Sequence, residues 1–367
     1  MRIASVFSGA GGFELGLSNY AEFVLVNDID PTSQRVLAAR FPGIPLIEDV
    51  RKIGPNDLSG ADMIVAGFPC QDVSIVGGQR GLGGSRSALV EHVFRLAAAA
   101  RTDRILLENV QSIRFVHQGR VLSYLMHAAE QLGYAWAYRI LDSRGFGLPQ
   151  RRRRFYFLAS RVEDPGDVLL CSPGRPLPKR VIDPARPIGF YWTEGRLGNG
   201  LTDDAIPPLK TGSALDIPSP PAVLFPDGSV KTPTIETAEQ LQGFPAGWTD
   251  AAEPRQRWRL VGNAVSPPVV DWIRQRFELS NWNRDLASAM PTQPTWPTAA
   301  WGDGSGRRLA VAVHEAPDRS TLGRLSDHGF EWVDLSQRAL RGFVTRARAS
   351  NLRYPAGFLD RLEAKLV

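Results

Sequence analysis

A cysteine in the segment Ala66-Gly67-Phe68-Pro69-Cys70-Gln71-Asp72-Val73-Ser74 follows directly on an apolar run at 63–66. A proline-containing loop at a strand end exposes its side chains where ligands bind, and a thiolate there would be a strong nucleophile. A lone cysteine is also often a small buried hydrophobe. Glu108-Asn109-Val110 follows the next such run, at 105–107. A carboxyl held between strands with a flat ring stacked over it would be desolvated, so its pKa should rise until it holds or shares a proton near neutrality. An acid at a helix start, satisfying backbone amides, is the alternative. Gln150-Arg151-Arg152-Arg153-Arg154 precedes a further run at 155–159. Alternate strand residues share a face, so Arg152 and Arg154 should point together into a site, with Arg151 and Arg153 on a solvated or phosphate-facing side.

A second kind of chemistry is signalled earlier in the chain. Phe7-Ser8-Gly9-Ala10-Gly11-Gly12-Phe13 ends the first apolar run and leads into an amphipathic stretch. Glycines there allow a tight turn and close approach of a ligand beside a helix start. The second run ends in Asn27-Asp28-Ile29-Asp30. An acid about 20 residues beyond a glycine turn is where a ribose hydroxyl pair would be held. The pattern reads as a nucleotide-like cofactor site, although the full dinucleotide fingerprint is missing; a tight turn without a ligand is the alternative.

Strand-like runs at 3–7, 23–26, 63–66, 105–107, 135–141 and 155–159 alternate with helical stretches at 11–19, 31–40, 86–101 and 118–132. This alternation predicts an α/β domain with a mostly parallel sheet and helices on both faces. Ligands bind such sheets at the carboxyl ends of the strands, where the glycine, cysteine and glutamate segments all fall. From about 161 to 235 prolines and glycines become dense, which predicts a smaller, irregular, loop-bearing domain. Helical signals return at 236–242 and 267–278. Residues 280–306 read as a linker or strap, followed by a strand-like run at 309–313 and helices at 336–349 and 357–366.

The 367 residues suffice for one large domain or two ordinary ones. With 43% apolar and 22% charged residues the composition is that of a soluble globular protein. No apolar run approaches the ~20 residues of a membrane span, and no signal-peptide layout precedes the first strand. Two cysteines, Cys70 and Cys171, make no secreted disulfide framework, so a reducing cytosol is expected. The net charge of +5 fits a polyanionic partner.

Taken together, the segments resemble the DNA (cytosine-5) methyltransferases of bacterial restriction-modification type. The blocks at 7–12, 67–71, 108–110, 150–154 and Gly262-Asn263-Ala264-Val265 fall in the family's order, and Gly243-Phe244-Pro245 matches a structural motif after its variable region. The likeness covers residues 1–280. It implies a Rossmann-like, S-adenosylmethionine-dependent domain formed by 1–160 with 255–280, and a target-recognition domain at 161–254. The extension 281–367 is expected to pack on the small domain.

For the cofactor, the resemblance implies Phe7, Gly9, Gly11, Gly12, Phe13, Pro69 and Leu89 around the site. Asp28 would take the ribose, Ile29 and Val50 the adenine face, and Asp49 the adenine amino group. Asn263 and Val265 would close over the methionine part. Cys70 would attack cytosine, Glu108 would contact N3 and the amino group, and Arg154 the O2 atom, with Arg152 supporting. The target atom is inaccessible inside a duplex, so the base should flip out. Ser74 and Arg152 would meet the DNA, and Arg196, Lys210, Thr211 and Trp192 are candidates by residue type.

Four departures from the family pattern are visible: Val73 for a frequent aromatic, Ser87 for a glycine, no arginine beside Glu236, and Pro208-Leu209 for Thr-Leu. No metal is expected. The expected partners are double-stranded DNA and a cognate restriction endonuclease acting on the same sites, with the enzyme a monomer on DNA in the cytoplasm. The rival readings are the tRNA-methylating branch and a catalytically silent DNA-binding protein. A nicotinamide oxidoreductase would leave the Pro-Cys and Glu-Asn-Val loops unexplained.

Overall fold

A computed structural model of the chain describes residues 1–69, 89–177, 182–194, 198, 200–210, 218–278, 281–291, 296–318 and 321–366. The chain divides into two compact units. The first is Met1–Asp142, Arg153–Pro176 and Val265–Arg319; the second is Ser143–Arg152, Leu177–Ala264 and Ser320–Val367.

Seven strands begin the first unit: β1 (Arg2–Val6), β2 (Glu22–Asn27), β3 (Leu46–Ile47), β4 (Met63–Gly67), β5 (Arg104–Val110), β6 (Ala135–Asp142) and β7 (Arg153–Ser160). Interleaved are α1 (Gly12–Leu17), α2 (Pro31–Arg40), α3 (Leu89–Ala100) and α4 (Arg120–Gln131). The sheet runs β3-β2-β1-β4-β5-β7-β6. Strands β3 to β5 are mutually parallel, and β7 inserts antiparallel between β5 and β6. Strands buried on both faces read as continuous apolar runs, as Met63 to Ala66 and Ile105 to Leu107 do. Helix α2 starts where Asp30 accepts from the Thr32 amide at 3.1 Å and Pro31 takes the first helical position. Helices α3 and α4 turn apolar stripes inward, Val90, Val93, Phe94 and Ala97 from one, Val121, Leu122, Leu125 and Met126 from the other.

Residues 287–311, read from the sequence as strap and extension, add three antiparallel strands beyond β6. Ala299–Gly302 pairs with β6, then Arg308–Val311, then Ala287–Ala289 at the edge. The attachment centres on Asp164. Its carboxylate accepts from the Gly166 amide at 2.8 Å, from Trp301 Nε1 at 2.7 Å and from Trp282 Nε1 at 3.3 Å, and it pairs with Arg284 at 2.5 Å. Gly302 leaves room for the Trp136 indole, which a Cβ there would meet at 2.4 Å.

The second unit is more regular than its proline-rich sequence suggests. Five short antiparallel strands lie in the order Trp332–Asp334, Val230–Pro233, Ala222–Leu224, Ile188–Phe190, Thr202–Asp203. Helices Gln337–Arg348 and Phe358–Glu363 cover one face, with the Phe190 ring 4.9 Å from Phe343 and 5.4 Å from Phe358. On the other face Val223 packs with Ala238, Leu241 and Val261. Helix Pro254–Asn263 therefore belongs to this unit, whereas the sequence reading assigned residues from 255 onward to the catalytic domain.

Asp164→Ala removes a helix cap and leaves two buried indole N–H groups without their acceptor. A loss of about 2–4 kcal/mol in denaturant-unfolding stability is expected; unchanged stability would show that residues 281–302 are not integral to the first unit.

Candidate active site

Strand β1 ends in backbone that few L-residues adopt: φ is +56° at Phe7, +57° at Gly9 and +82° at Gly11. Such strain persists where the surroundings over-determine it, and it clusters at ligand sites. The Gly9 amide donates to Asp28 Oδ2 at 2.8 Å, and a Cβ on Gly9 would meet none of the described residues within 4 Å, so they leave this side of the turn open. Gly12 is the opposite case, since a Cβ there would lie 2.3 Å from the Val265 carbonyl oxygen. The backbone at 265 thus presses directly on the turn, which is why residue 12 has no side chain.

At the end of β2, Asp28 also accepts from the Asp30 amide at 2.9 Å, and burial raises its carboxyl above the usual carboxylate range despite these bonds. Ile29, next along, is 69% exposed, an aliphatic side chain held in the open directly beyond a buried strand. Val50 is buried. Asp49, which the resemblance gives the adenine amino group, is engaged by Arg51. The pair is bidentate at 2.9 and 2.7 Å, and it holds the Asp49 carboxyl down to about 2. Leu89 opens α3 and packs, like Phe7, against the core of the first unit.

Strand β5 carries the second group of residues. Glu108 is buried, and its Oε1 lies 3.1 Å from Arg154 Nε. Val110 is the register partner of Arg154, so Glu108, two residues earlier, is its diagonal neighbour on the same face. Asn109 Nδ2 donates to the Phe68 carbonyl at 2.9 Å, and Asn109 Oδ1 accepts from the Val110 amide at 2.8 Å. This bond fixes the start of the loop that runs through exposed Pro69 towards Cys70. Gly67 marks the meeting point. A Cβ there would be 3.3 Å from Val265 Cγ2, 3.7 Å from the Phe7 oxygen and 4.0 Å from Glu108 Oε2. Cys70 and Ser74 lie outside the described residues.

The arginine run divides differently from the expectation. Strand β7 starts at Arg153, so strand alternation does not extend to Arg152. Arg152 belongs to the second unit and is fully buried there, donating to the Gly262 carbonyl at 3.1 Å and the Ala264 carbonyl at 2.8 Å. It grips the backbone on both sides of Asn263. Gln242 Nε2 joins it on the Ala264 carbonyl at 2.7 Å, and Gln150 donates to Gln242 at 3.0 Å while accepting from the Leu209 amide at 2.9 Å. Arg153, expected in solvent or at phosphate, is 2.9 Å from Glu315 and 3.9 Å from buried Asp142.

Residues 1–180 match the family described as C-5 cytosine-specific DNA methylase. Over 99% of this chain and 97% of the other, the sequence is 40% identical to the Type II methyltransferase M2.BsuMI of Bacillus subtilis strain 168. The chain belongs to the C-5 cytosine-specific DNA methylase family. It is a DNA (cytosine-5) methyltransferase. The Type II methyltransferase M.DsaV of Dactylococcopsis salina is 27% identical over 76% of this chain and 86% of its own. In fold, the crystal structure of the S. pombe Dnmt2 methyltransferase superposes with a TM-score of 0.54 at 15% identity, covering 75% of this chain and 97% of that one.

Candidate DNA-contact residues of this methyltransferase fall into two groups. Lys210 pairs with Glu194, and its ammonium sits 3.7 Å over the Tyr191 ring, so it has partners within its own unit. Trp192 donates to the Pro220 carbonyl at 2.8 Å and packs on the core of the second unit. Arg196 and Thr211 lie outside the described residues. Among the described residues no cluster of His, Cys, Asp or Glu could hold a metal ion, and no helix is long and apolar enough to cross a membrane. The sequence reading gave no task to Asn109, Gln150 or Gln242; only their place in the motif blocks or beside Gly243 could have drawn attention to them.

Two substitutions test this geometry in the methyltransferase. Gly12→Ala forces a carbon against the Val265 carbonyl and should weaken S-adenosylmethionine binding by about tenfold or more in titration calorimetry, overpacking of this kind costing about 1–3 kcal/mol. Asn109→Ala should lower turnover while leaving that binding near wild type, because the bond it removes is to the Phe68 carbonyl, two residues before Cys70; weakened binding with normal turnover would contradict the assignment.

Proposed function

We propose that this methyltransferase transfers a methyl group from S-adenosylmethionine to carbon 5 of a flipped-out cytosine in a short duplex sequence, through a covalent adduct of Cys70. The observation that carries the reading is the buried Glu108–Arg154 pair at the strand edge whose neighbouring loop leads to Cys70.

The residues suit the donor. The side of Gly9 that the described residues leave open, exposed Ile29 and the half-buried Asp28 carboxyl fit a nucleoside with an apolar face and ribose hydroxyls. Phe7, Gly11, Gly12, Phe13, Val50, Pro69, Leu89, Asn263 and Val265 would complete its surroundings, with Asp49 reaching the adenine amino group from its pair with Arg51. When bound, S-adenosylmethionine supplies an electrophilic methyl group on a sulfonium.

The chain's own residues do the rest. The Cys70 thiolate forms a bond to carbon 6, and the ring electrons it displaces make carbon 5 nucleophilic. Glu108, at N3 and the amino group, stabilises the charge that this attack creates, while Arg154 holds O2. After methylation a water removes the carbon 5 proton, the carbon–sulfur bond breaks, and Cys70 leaves as thiolate. Arg152 acts by positioning, through the carbonyls flanking Asn263. Ser74, Arg196, Lys210 and Thr211 are proposed to meet DNA, Lys210 by exchanging its contact with Glu194 for phosphate. The enzyme is proposed to act as a monomer on double-stranded DNA in the cytoplasm, as the modification partner of a restriction endonuclease cutting the same sites.

Purified protein incubated with radiolabelled S-adenosylmethionine should label duplex DNA and leave total tRNA unlabelled, with bisulfite sequencing placing the product in one short motif. Label confined to tRNA would overturn the substrate reading. Cys70→Ser should abolish transfer yet bind the donor normally, and wild-type protein should form an SDS-resistant complex with duplex carrying 5-fluorocytosine, whose fluorine cannot leave as a cation. Glu108→Gln should slow methylation by about 10²–10⁴ without loss of DNA binding; an unchanged rate would remove Glu108 from its role.

A further inference from the structure

Glu14 lies in the first turn of α1, two residues beyond the glycine turn, and its exposure is 0%. A buried carboxyl without a cation is costly, and an apolar side chain would fill such a position more cheaply. Helix α1 packs against helix Pro267–Arg274, and the hydroxyls of Ser5 and Ser8 approach the Glu14 carboxyl. Among the described residues no donor makes a full hydrogen bond to either oxygen. Burial raises its pKa, and the charge facing it, Asp28, is of the same sign. A protonated Glu14 can donate to one hydroxyl and accept from another, which a carboxylate cannot do.

The hydroxyls lead onward. Ser8 Oγ donates to Ser5 Oγ at 3.0 Å and accepts from the Asn27 amide at 3.4 Å. Asn27 Oδ1 accepts from the Phe7 amide at 3.3 Å, and its Nδ2 donates to the carbonyls of Ile47 at 2.6 Å and Glu48 at 3.1 Å. Ser5, Ser8, Glu14 and Asn27 are all buried. One buried polar cluster therefore touches the turn at 7–12, the strand end before Asp28, and the segment entering Asp49 and Val50. These are three of the segments assigned to the donor, and none of the four cluster residues is itself among the assigned contacts.

We propose that Glu14 is a positioning residue for the methyl donor, fixing the turn at 7–12 through Ser5 and Ser8 and, through Ser8 and Asn27, the segments that carry Asp28 and Val50. The proposal rests on the reading of these segments as the S-adenosylmethionine site. A buried polar network of this kind favours one arrangement of the groups it joins, so the site would be formed before the donor arrives.

The test compares wild type, Glu14→Gln and Glu14→Leu by titration calorimetry with S-adenosylmethionine, by turnover at saturating donor, and by thermal melting. Glu14→Leu should weaken donor binding by about tenfold with turnover at saturation within about threefold, and Glu14→Gln, which donates and accepts, should stay within about threefold of wild type. Equal binding by the leucine variant, or equal losses in both variants, overturns the proposal while leaving the donor reading intact. Wild-type protein that bound no donor would overturn that reading and the proposal with it. If Glu14→Leu does not fold, Ser8→Ala takes its place, with a several-fold loss expected and unchanged binding overturning the idea.

Discussion

Parallel pairing of β2, β1, β4 and β5 brings four strand ends to one edge within a few residues of each other, and the site depends on that register. Val6 lies opposite both Asn27 and Ala66, and Gly67 opposite Glu108. Both faces of such a sheet are covered, so its strands are apolar along their length and polar groups find room only where the strands end. A slip of one residue between β5 and β7 would turn Glu108 to the face opposite Arg154 and break their pair. The same slip between β1 and β4 would move Gly67 away from the Phe7 oxygen that it now faces. Chemistry here is confined to the edge by packing, and its relative placement is set by backbone hydrogen bonds rather than by the reactive side chains.

Buried charge is handled in two ways. Glu108 and Arg154 answer each other directly. Arg152 and Arg139 have backbone carbonyls instead, Arg139 donating to those of Leu169, Ser172 and His314 at 2.8 to 2.9 Å. Burial lowers Arg139 only to about 10, so it remains a cation at neutral pH. A guanidinium with five donors in a fixed fork suits carbonyls arriving from separate segments, and both of these arginines tie chain segments together as a result. Arg152 sits in a motif that suggested catalysis, yet its bonds are those of a clamp on residues 262–264.

Much of the first unit was legible because its elements are long and periodic. The expected helix at 31–40 coincides with α2, and the six expected strands fall within a few residues of β1, β2, β4, β5, β6 and β7. The carboxyl-edge residues followed from those strand ends. Shorter elements were hidden. The strands of the second unit span two to four residues, too few for alternation to stand out among prolines, and those at 287–289 and 299–302 lie in Trp- and Pro-rich sequence. The arginine run was harder to read for a sharper reason: alternation was applied one residue before the strand begins at Arg153, and Arg152 instead donates to the carbonyls of Gly262 and Ala264. Glu14 and Asn27 gave no signal, since periodicity cannot distinguish a buried polar residue from one at the helix surface.

The Glu108–Arg154 pair also bears on how the proposed reaction begins. Each group is largely withdrawn from water, and each would be costly to leave unpaired. In the absence of a base they satisfy one another. A cytosine offers an acceptor at O2 and a nitrogen edge at N3 and the amino group, so it presents the complement of both partners at once. In the proposed reaction, entry of the base would exchange one charge-assisted contact for two directed ones, with no interval in which either group is stranded. A base without that edge would separate the pair and replace only part of it. In the proposed reaction, discrimination would follow from the same pairing that satisfies both groups before the base arrives, because a buried polar group left unmatched costs more than a matched one gains.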